Sequence, residues 1–251
     1  MERTGGGDPA RTVALLWRAE PEAKRGRKPK VTVDQIITAA VAAADADGLA
    51  AMSMARVAKE LGLGTMSLYT HVPGKAELVD LMIDAVLLER DLPATGEPRP
   101  DGWRAQVELY AQRTRDAYQR HPWLRDVSMV RPPLGPGLMA GEEFLLAALS
   151  ETALAPRQVT AAMGAIITFV DGAVAAVADT EQLERVTGQS NDAWWDARQV
   201  FWDEYFDVEK YPAMTRLWHQ GAFNDSTADQ SDTAFAFGLQ RLLDGIEGSF
   251  R

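Results

Sequence analysis

Residues 53–72 read SMARVAKELGLGTMSLYTHV. Ser53 is a residue type that caps helix N-termini. Behind it Met54, Val57, Ala58 and Leu61 step by three, one and three, one apolar stripe of a helix. Gly62 then supplies the residue a left-handed helix exit favours. A second short helix is predicted from about Thr65 to His71, and Pro73-Gly74 breaks it. Helix, glycine turn and short helix form the helix-turn-helix pattern, whose second helix enters the DNA major groove. The same spacing fits an ordinary corner between two packed helices, and spacing alone does not separate the two.

The side chains add information. Met54, Val57, Ala58, Leu61, Leu63, Leu68 and Val72 form the expected inner face. Thr65, Met66, Ser67, Tyr69, Thr70 and His71 are left outward, with no acid among them. An acid would repel phosphate. Hydroxyls and Tyr can bond phosphate oxygens or base edges, and Met66 can touch a thymine methyl. Lys75 opens the next helix, where it can meet a phosphate.

Working outward, an earlier helix is capped by Thr32 or Asp34, carries Ile36, Ile37, Ala40 and Ala44 on one face, and closes at Asp47-Gly48. A helix from Lys75 turns Leu78, Leu81, Met82, Ala85 and Val86 inward. Pro93, Pro98 and Pro100 mark a linker. Helices are predicted over 103–119, 139–154, 156–186, 191–205 and 232–250, with 121–137 as loop or broken helix. No credible strand pair appears. The expected class is all-α, with an N-terminal helix-turn-helix domain and a C-terminal helical ligand-binding and dimerisation domain. The expected divisions are 1–30, a flexible basic arm with at most a short turn near Thr12–Trp17; 31–76, the reading head; and 77–251, the remainder.

The 251 residues hold no cysteine, which excludes disulfides and cysteine-based metal sites and fits a reducing cytoplasm. His71, His121 and His219 have no metal-ligand spacing, and no metal or cofactor is expected. Net charge is −10, unevenly spread: residues 1–75 carry 11 Lys/Arg against 8 Asp/Glu, and residues 76–251 carry 15 against 28. Only the N-terminal third could approach a polyanion. Lys24, Arg25, Arg27, Lys28 and Lys30 make its most basic stretch. Val159–Ala178 is long enough to span a bilayer, but Asp171 would lie near mid-membrane. A buried helix is the expectation, with no membrane partner.

Ala46-Asp47-Gly48-Leu49, then 53–63, then Ser67-Leu68-Tyr69-Thr70-His71-Val72 with Lys75 and Leu78, resemble the DNA-binding domain of tetracycline-repressor (TetR) family transcriptional regulators. The Leu-Tyr-x-His-Val and Lys pattern is the specific part. Arg131-Pro132 and the small-residue helix are similar to the branch containing the tetracycline repressor itself. The resemblance implies an all-helical homodimer that binds double-stranded operator DNA and a small-molecule effector. It places Tyr69, His71 and Lys75 on the DNA backbone, and Thr65, Met66, Ser67 and Thr70 toward bases or phosphates. Ser53, Met54 and Arg56 join the candidate DNA-binding set. Where the tetracycline repressor reads a base with arginine, this chain has Ala55, so that operator is not the expected target. Arg25, Arg27 and Lys28 become candidates for a minor-groove arm.

Ala161, Gly164, Ala165, Thr168 and Gly172 recur at three and four, allowing close helix approach, and Leu239, Leu242, Leu243 and Ile246 give a second face. Following the family, these are the expected dimer interface, with packing inside one chain as the alternative. Six of seven tryptophans lie beyond residue 100. Trp103, Tyr110, Thr114, Met129, Arg131, Glu143, Met163 and Trp195 are the candidate ligand contacts, for a small apolar or aromatic effector. The expected function is a ligand-responsive regulator, a repressor released from a palindromic operator. The alternative is a helical small-molecule-binding protein or enzyme without DNA binding. No Gly-rich phosphate loop, His-x-x-x-His or nucleophile elbow is present, and Glu142-Glu143 point apart on a helix, so no enzyme activity is expected.

Overall fold

Thr32 and Gln35 exchange hydrogen bonds across the start of the first long helix: the Gln35 N–H donates to the Thr32 hydroxyl, and the Thr32 N–H to the Gln35 carboxamide. That reciprocal cap starts α2 (Val33–Asp47), and Gly48, at φ 84°, ends it. In this computed structural model, which describes residues 2–5, 7–19 and 31–250, α3 (Met54–Glu60) and α4 (Thr65–Tyr69) follow, joined through Gly62 at φ 65°. Then comes α5 (Lys75–Leu88). Before them lie a two-residue strand β1 (Glu2–Arg3) and α1 (Pro9–Leu16). After the proline linker come α6 (Trp103–Arg120), a 3-10 turn (Pro122–Asp126), β2 (Val127–Ser128) and α7 (Pro136–Ser150). The remaining elements are α8 (Pro156–Thr187), α9 (Asn191–Asp196), a π-helical turn (Phe201–Tyr205), α10 (Pro212–His219) and α11 (Thr227–Gly248).

The chain forms two compact units, one running to Ala175 with Phe250, the other spanning 176–249, and the single helix α8 runs from the first into the second. The core of the first unit is not confined to the reading head. Ile36, Val57, Leu68 and Met82 share it with Leu15 and Leu16 of α1 and with Trp123 and Leu124 of the 3-10 turn.

The N-terminal segment departs from the expected unstructured arm. β1 pairs in parallel with β2, Glu2 opposite Val127 and Arg3 opposite Ser128, so a short strand pair exists where none was expected. The Thr4 hydroxyl lies 2.7 Å from the Ser128 carbonyl. Asp8 caps α1 through the N–H groups of Ala10 and Arg11, the Trp17 indole N–H donates to the Leu134 carbonyl at 2.8 Å, and Arg18 pairs with Asp34 at 2.6 Å. The described residues 2–5 and 7–19 thus form a strap across α5 and the segment after α6. Arg25, Arg27 and Lys28 lie outside the described residues.

Other differences are local. α10 was not expected from the sequence, and the expected helix over 191–205 is α9 followed by the π turn. α8 is buried on one side only, through Val159, Ala162, Ile166, Val170, Val174 and Ala178. By length and composition it is apolar enough to cross a membrane, with 28% of its most apolar window buried.

Candidate functional site

The outward face of α4 follows from its anchor. Leu68 is fully buried, and Val72 beside it likewise, so the remaining helix positions face solvent. Met66 is 78% exposed, Tyr69 39%, and Ser67 and Thr70 are exposed, while Thr65 and His71 are half-buried. The Thr70 hydroxyl donates to the Ser67 carbonyl at 2.6 Å, so that face offers Thr70 only as an acceptor. Lys75 is the first residue of α5, immediately after the turn that follows α4.

Two of the expected DNA contacts are engaged within the reading head. Met54 is 5% exposed, and it packs into the core rather than toward DNA. Arg56 is clamped between Asp47 at 2.7 Å and Glu60 at 3.0 Å, and these two carboxylates hold its guanidinium pKa above the ordinary arginine value. It thereby ties α3 to the end of α2. Ser53 caps α3 by accepting from the Arg56 N–H at 3.3 Å.

α5 leads from the reading head into the regulatory core and is buried on nearly every side. Three of its buried residues are acids: Glu77, Asp80 and Asp84. Burial pushes the Asp80 carboxyl up to about 6, opposed by the Gly5 N–H at 3.1 Å. One turn on, burial also raises Asp84, and the N–H groups of Gly137 (2.9 Å) and Leu138 (3.1 Å) pull it back. Asp84 thereby caps the N-terminus of α7 with a negative charge, where the helix dipole favours one. The two helices meet at Gly137, where any Cβ would collide with the Asp84 carbonyl.

A second junction lies at the end of α6. His121 is buried with Nδ1 2.8 Å from Asp45 Oδ1 on α2 and Nε2 2.9 Å from Glu89 Oε2 after α5. The Trp123 indole N–H donates to the same Asp45 oxygen at 2.7 Å. Carboxylates accept only, so both contacts are hydrogen bonds when the ring carries both protons. This ties reading head, α5 and α6 into one piece, and sequence reasoning had assigned His121 no role.

In the core, α6 turns Gln106, Tyr110 and Thr114 inward at successive four-residue steps, each less than 5% exposed. Gln106 Oε1 and Thr114 Oγ1 are buried without a hydrogen-bond partner. The buried Arg90 guanidinium lies 5.2 Å from the Tyr110 ring centre and donates to the Gly137 carbonyl at 3.1 Å. Burial raises Asp171 to about 6 against the pull of Arg90, and it raises both Tyr110 and Tyr118 above the ordinary phenol. An open hollow of about 460 Å³ reaches Gln106 and Glu143 between the 95–102 linker, α6 and α7.

The eight expected ligand residues fall on several elements of the two units. Tyr110 and Thr114 share the α6 face, and Glu143 lines the hollow. Met129 packs against the reading-head core, and the Arg131 carbonyl faces Thr4. Trp195 lines a separate cavity in the second unit. Trp103 begins α6, at helical spacing from Gln106 and Tyr110, and Met163 is half-buried on α8. Gln106 and Arg90 were missed, since their burial depends on segments distant in sequence.

The expected dimer face also divides. Ala161, Gly164, Ala165, Thr168 and Gly172 are exposed along α8. Leu239, Leu243 and Ile246 are buried within the single chain, because they form the inner side of α11, and Leu242 is half-buried; the first three are therefore not an intersubunit seam.

An all-helical chain with an acid-free recognition helix, joined through α5 to a core with unsatisfied polar groups, is the architecture of a helix-turn-helix regulator. Comparison with known proteins gives the family. Residues 36–82 match the family model "Bacterial regulatory proteins, tetR family", and residues 93–249 match "Tetracyclin repressor-like, C-terminal domain". The chain belongs to the TetR family of transcriptional regulators. It is 41% identical over 246 residues to the HTH-type transcriptional repressor DrrR1 of Streptomyces coeruleorubidus, covering 98% of this chain and 88% of that one. An HTH-type transcriptional regulator of Saccharopolyspora erythraea is 36% identical over 156 residues, 62% of this chain and 65% of that one. Among solved structures, ActR of Streptomyces coelicolor in complex with actinorhodin superposes with TM-score 0.73 at 29% identity, covering 89% of this chain and 98% of ActR.

Proposed function

We propose that this protein is a dimeric repressor that binds operator DNA through α4 and releases it when a small aromatic molecule enters the α6 core. One observation carries the reading: the recognition helix, presenting Thr65, Met66, Ser67 and Tyr69 without an acid, is coupled by α5 to the buried polar face of Gln106, Tyr110 and Thr114. His71 and Lys75 are assigned to the phosphate backbone, and Arg25, Arg27 and Lys28 to an accompanying groove. Gln106 Oε1 and Thr114 Oγ1, two buried groups without partners, suit a ligand bearing hydroxyls or amines. The repressor DrrR1 and the actinorhodin complex of ActR support the sign of regulation and the aromatic class. The exposed small-residue face of α8 suits close approach of a second copy, which would set two recognition helices about 34–36 Å apart on a palindrome. The protein would act in the cytoplasm.

An effector acts by binding the DNA-incompetent arrangement more tightly. α5 transmits it, since Asp80 and Asp84 fasten that helix to the strap and to α7. The test is a gel-shift with duplex from the gene's own upstream region. Binding that weakens steeply with salt, with a log–log slope near −0.9 per neutralised phosphate, is the expected result. Failure to shift any duplex containing that region would remove the regulator reading.

A further inference from the structure

Residues 191–226 hold nine aromatic side chains, seven Asp/Glu and three Lys/Arg. None of the helical turns in this stretch buries a residue, although Trp195 is 46% exposed, Trp218 47% and Phe223 45%. Large apolar groups left this open together mark a binding surface. Here they surround a cavity of about 930 Å³, near the top of the roughly 300–1,000 Å³ range of small-molecule sites.

Trp202 is its hub. Its ring lies 5.1 Å from Trp218 at 41°, 5.2 Å from Phe206 at 54° and 6.4 Å from Trp195 at 36°. The rings are splayed rather than stacked flat. Trp202 itself lies in the π-helical turn, where the Phe206 N–H donates to the Phe201 carbonyl at 2.9 Å, a geometry that recurs at functional sites. Around these rings stand Asp192, Asp196, Asp203 and Asp225, and among the described residues no lysine or arginine lines the cavity. Asp192 is held ionised by the Thr227 N–H at 2.9 Å, which pulls its pKa below the ordinary carboxylate value. His219 is the one lining group able to carry positive charge. Aromatic faces with a carboxylate rim attract a cation through both ring quadrupole and charge. A rim of this charge is unlike the core of a protein–protein contact, which is depleted in charged residues.

We propose that the cavity around Trp202 is a second ligand site, separate from the α6 face, for a planar aromatic molecule carrying a positively charged amine. It goes beyond the repressor reading and does not depend on DNA.

The test titrates the full-length, DNA-free protein with proflavine, a flat three-ring cation, and with anthraquinone-2-sulfonate, a flat three-ring anion, following tryptophan fluorescence and calorimetry. Proflavine should saturate one site per chain and bind at least about tenfold tighter than the anion, a difference of about 1.4 kcal/mol. Trp218→Leu should weaken it comparably. The double variant Asp196→Asn/Asp203→Asn changes two exposed side chains, so it keeps the test valid if Trp218→Leu unfolds; it should lower proflavine affinity and leave the anion's unchanged or improved. Equal binding of the two probes, no binding, or indifference to the Asp variants would overturn the proposal. So would light scattering that shows Trp218→Leu changing the oligomeric state and not the affinity, which would make the cavity a contact between copies. A protein that binds proflavine but shifts no operator would sink the repressor reading alone.

Discussion

The backbone N–H of Gly5 donates to the side chain of Asp80, at 3.1 and 3.3 Å to its two oxygens, across 75 positions of sequence. That carboxyl is buried, and burial raises it to about 6. The unfolded value is about 3.9. Between about pH 4 and 6 the folded chain therefore holds a proton that the unfolded chain has lost, and stability falls as pH rises through that window. Asp171, also near 6, acts in the same direction. Asp80→Asn should gain stability at pH 7.5, of order 2 kcal/mol, and little near pH 4. Urea melts at the two pH values check this, and a gain independent of pH would show that ionisation of Asp80 is not the cause.

Reading and folding separate on α4. Ser67→Ala and Met66→Ala alter exposed side chains and should weaken or relax operator choice at unchanged helicity. Leu68→Ala opens the core and should cost about 2–5 kcal/mol. Lys75→Ala should flatten the salt slope by about one, while Arg56→Ala should leave it unchanged, because Arg56 already pairs with Asp47 and Glu60. Anisotropy titrations at several salt concentrations distinguish these; a slope that falls on losing Arg56 would return it to the DNA.

Gly172 offers a clean probe of the proposed dimer. A Cβ there meets nothing within 4 Å inside the protomer, so Gly172→Leu should leave the single chain folded and still break close approach of a second copy. Sedimentation should then show monomer, with operator binding lost. A dimer that persists would move the seam off this face of α8.

His121→Ala should leave Asp45 and Glu89 facing each other without the ring between them, at a cost of about 1–3 kcal/mol. The further expectation is uncoupling: effector binding retained, operator release blunted. Calorimetry beside a release assay reads both, and intact release in this variant would take His121 out of the transmission path.

Local rules made much of the reading head legible. The caps at Thr32 and Ser53, the left-handed Gly62 and the buried Leu68 are each settled within a few residues. Met54 shows the limit: it stood on both the apolar stripe and the DNA list, and only packing chose between them. Asp80 and Asp84 drew no expectation from the sequence, since their partners are backbone N–H groups 75 and 53 positions away. The ligand candidates scatter over the chain for the same reason. Side-chain type marks Tyr110, Met129 and Trp195 alike, but only the tertiary path places the first in the α6 core, the second under the reading head and the third in the aromatic cavity.

The strap has a consequence for the order in which the molecule is assembled. Its strand β1 pairs with Val127 and Ser128, so that pairing cannot form until about 125 further residues have been synthesised. At about 5–20 residues per second that is a wait of roughly 6–25 s. β1 is thus translated well before its partner, and its pairing waits until β2 has left the ribosome.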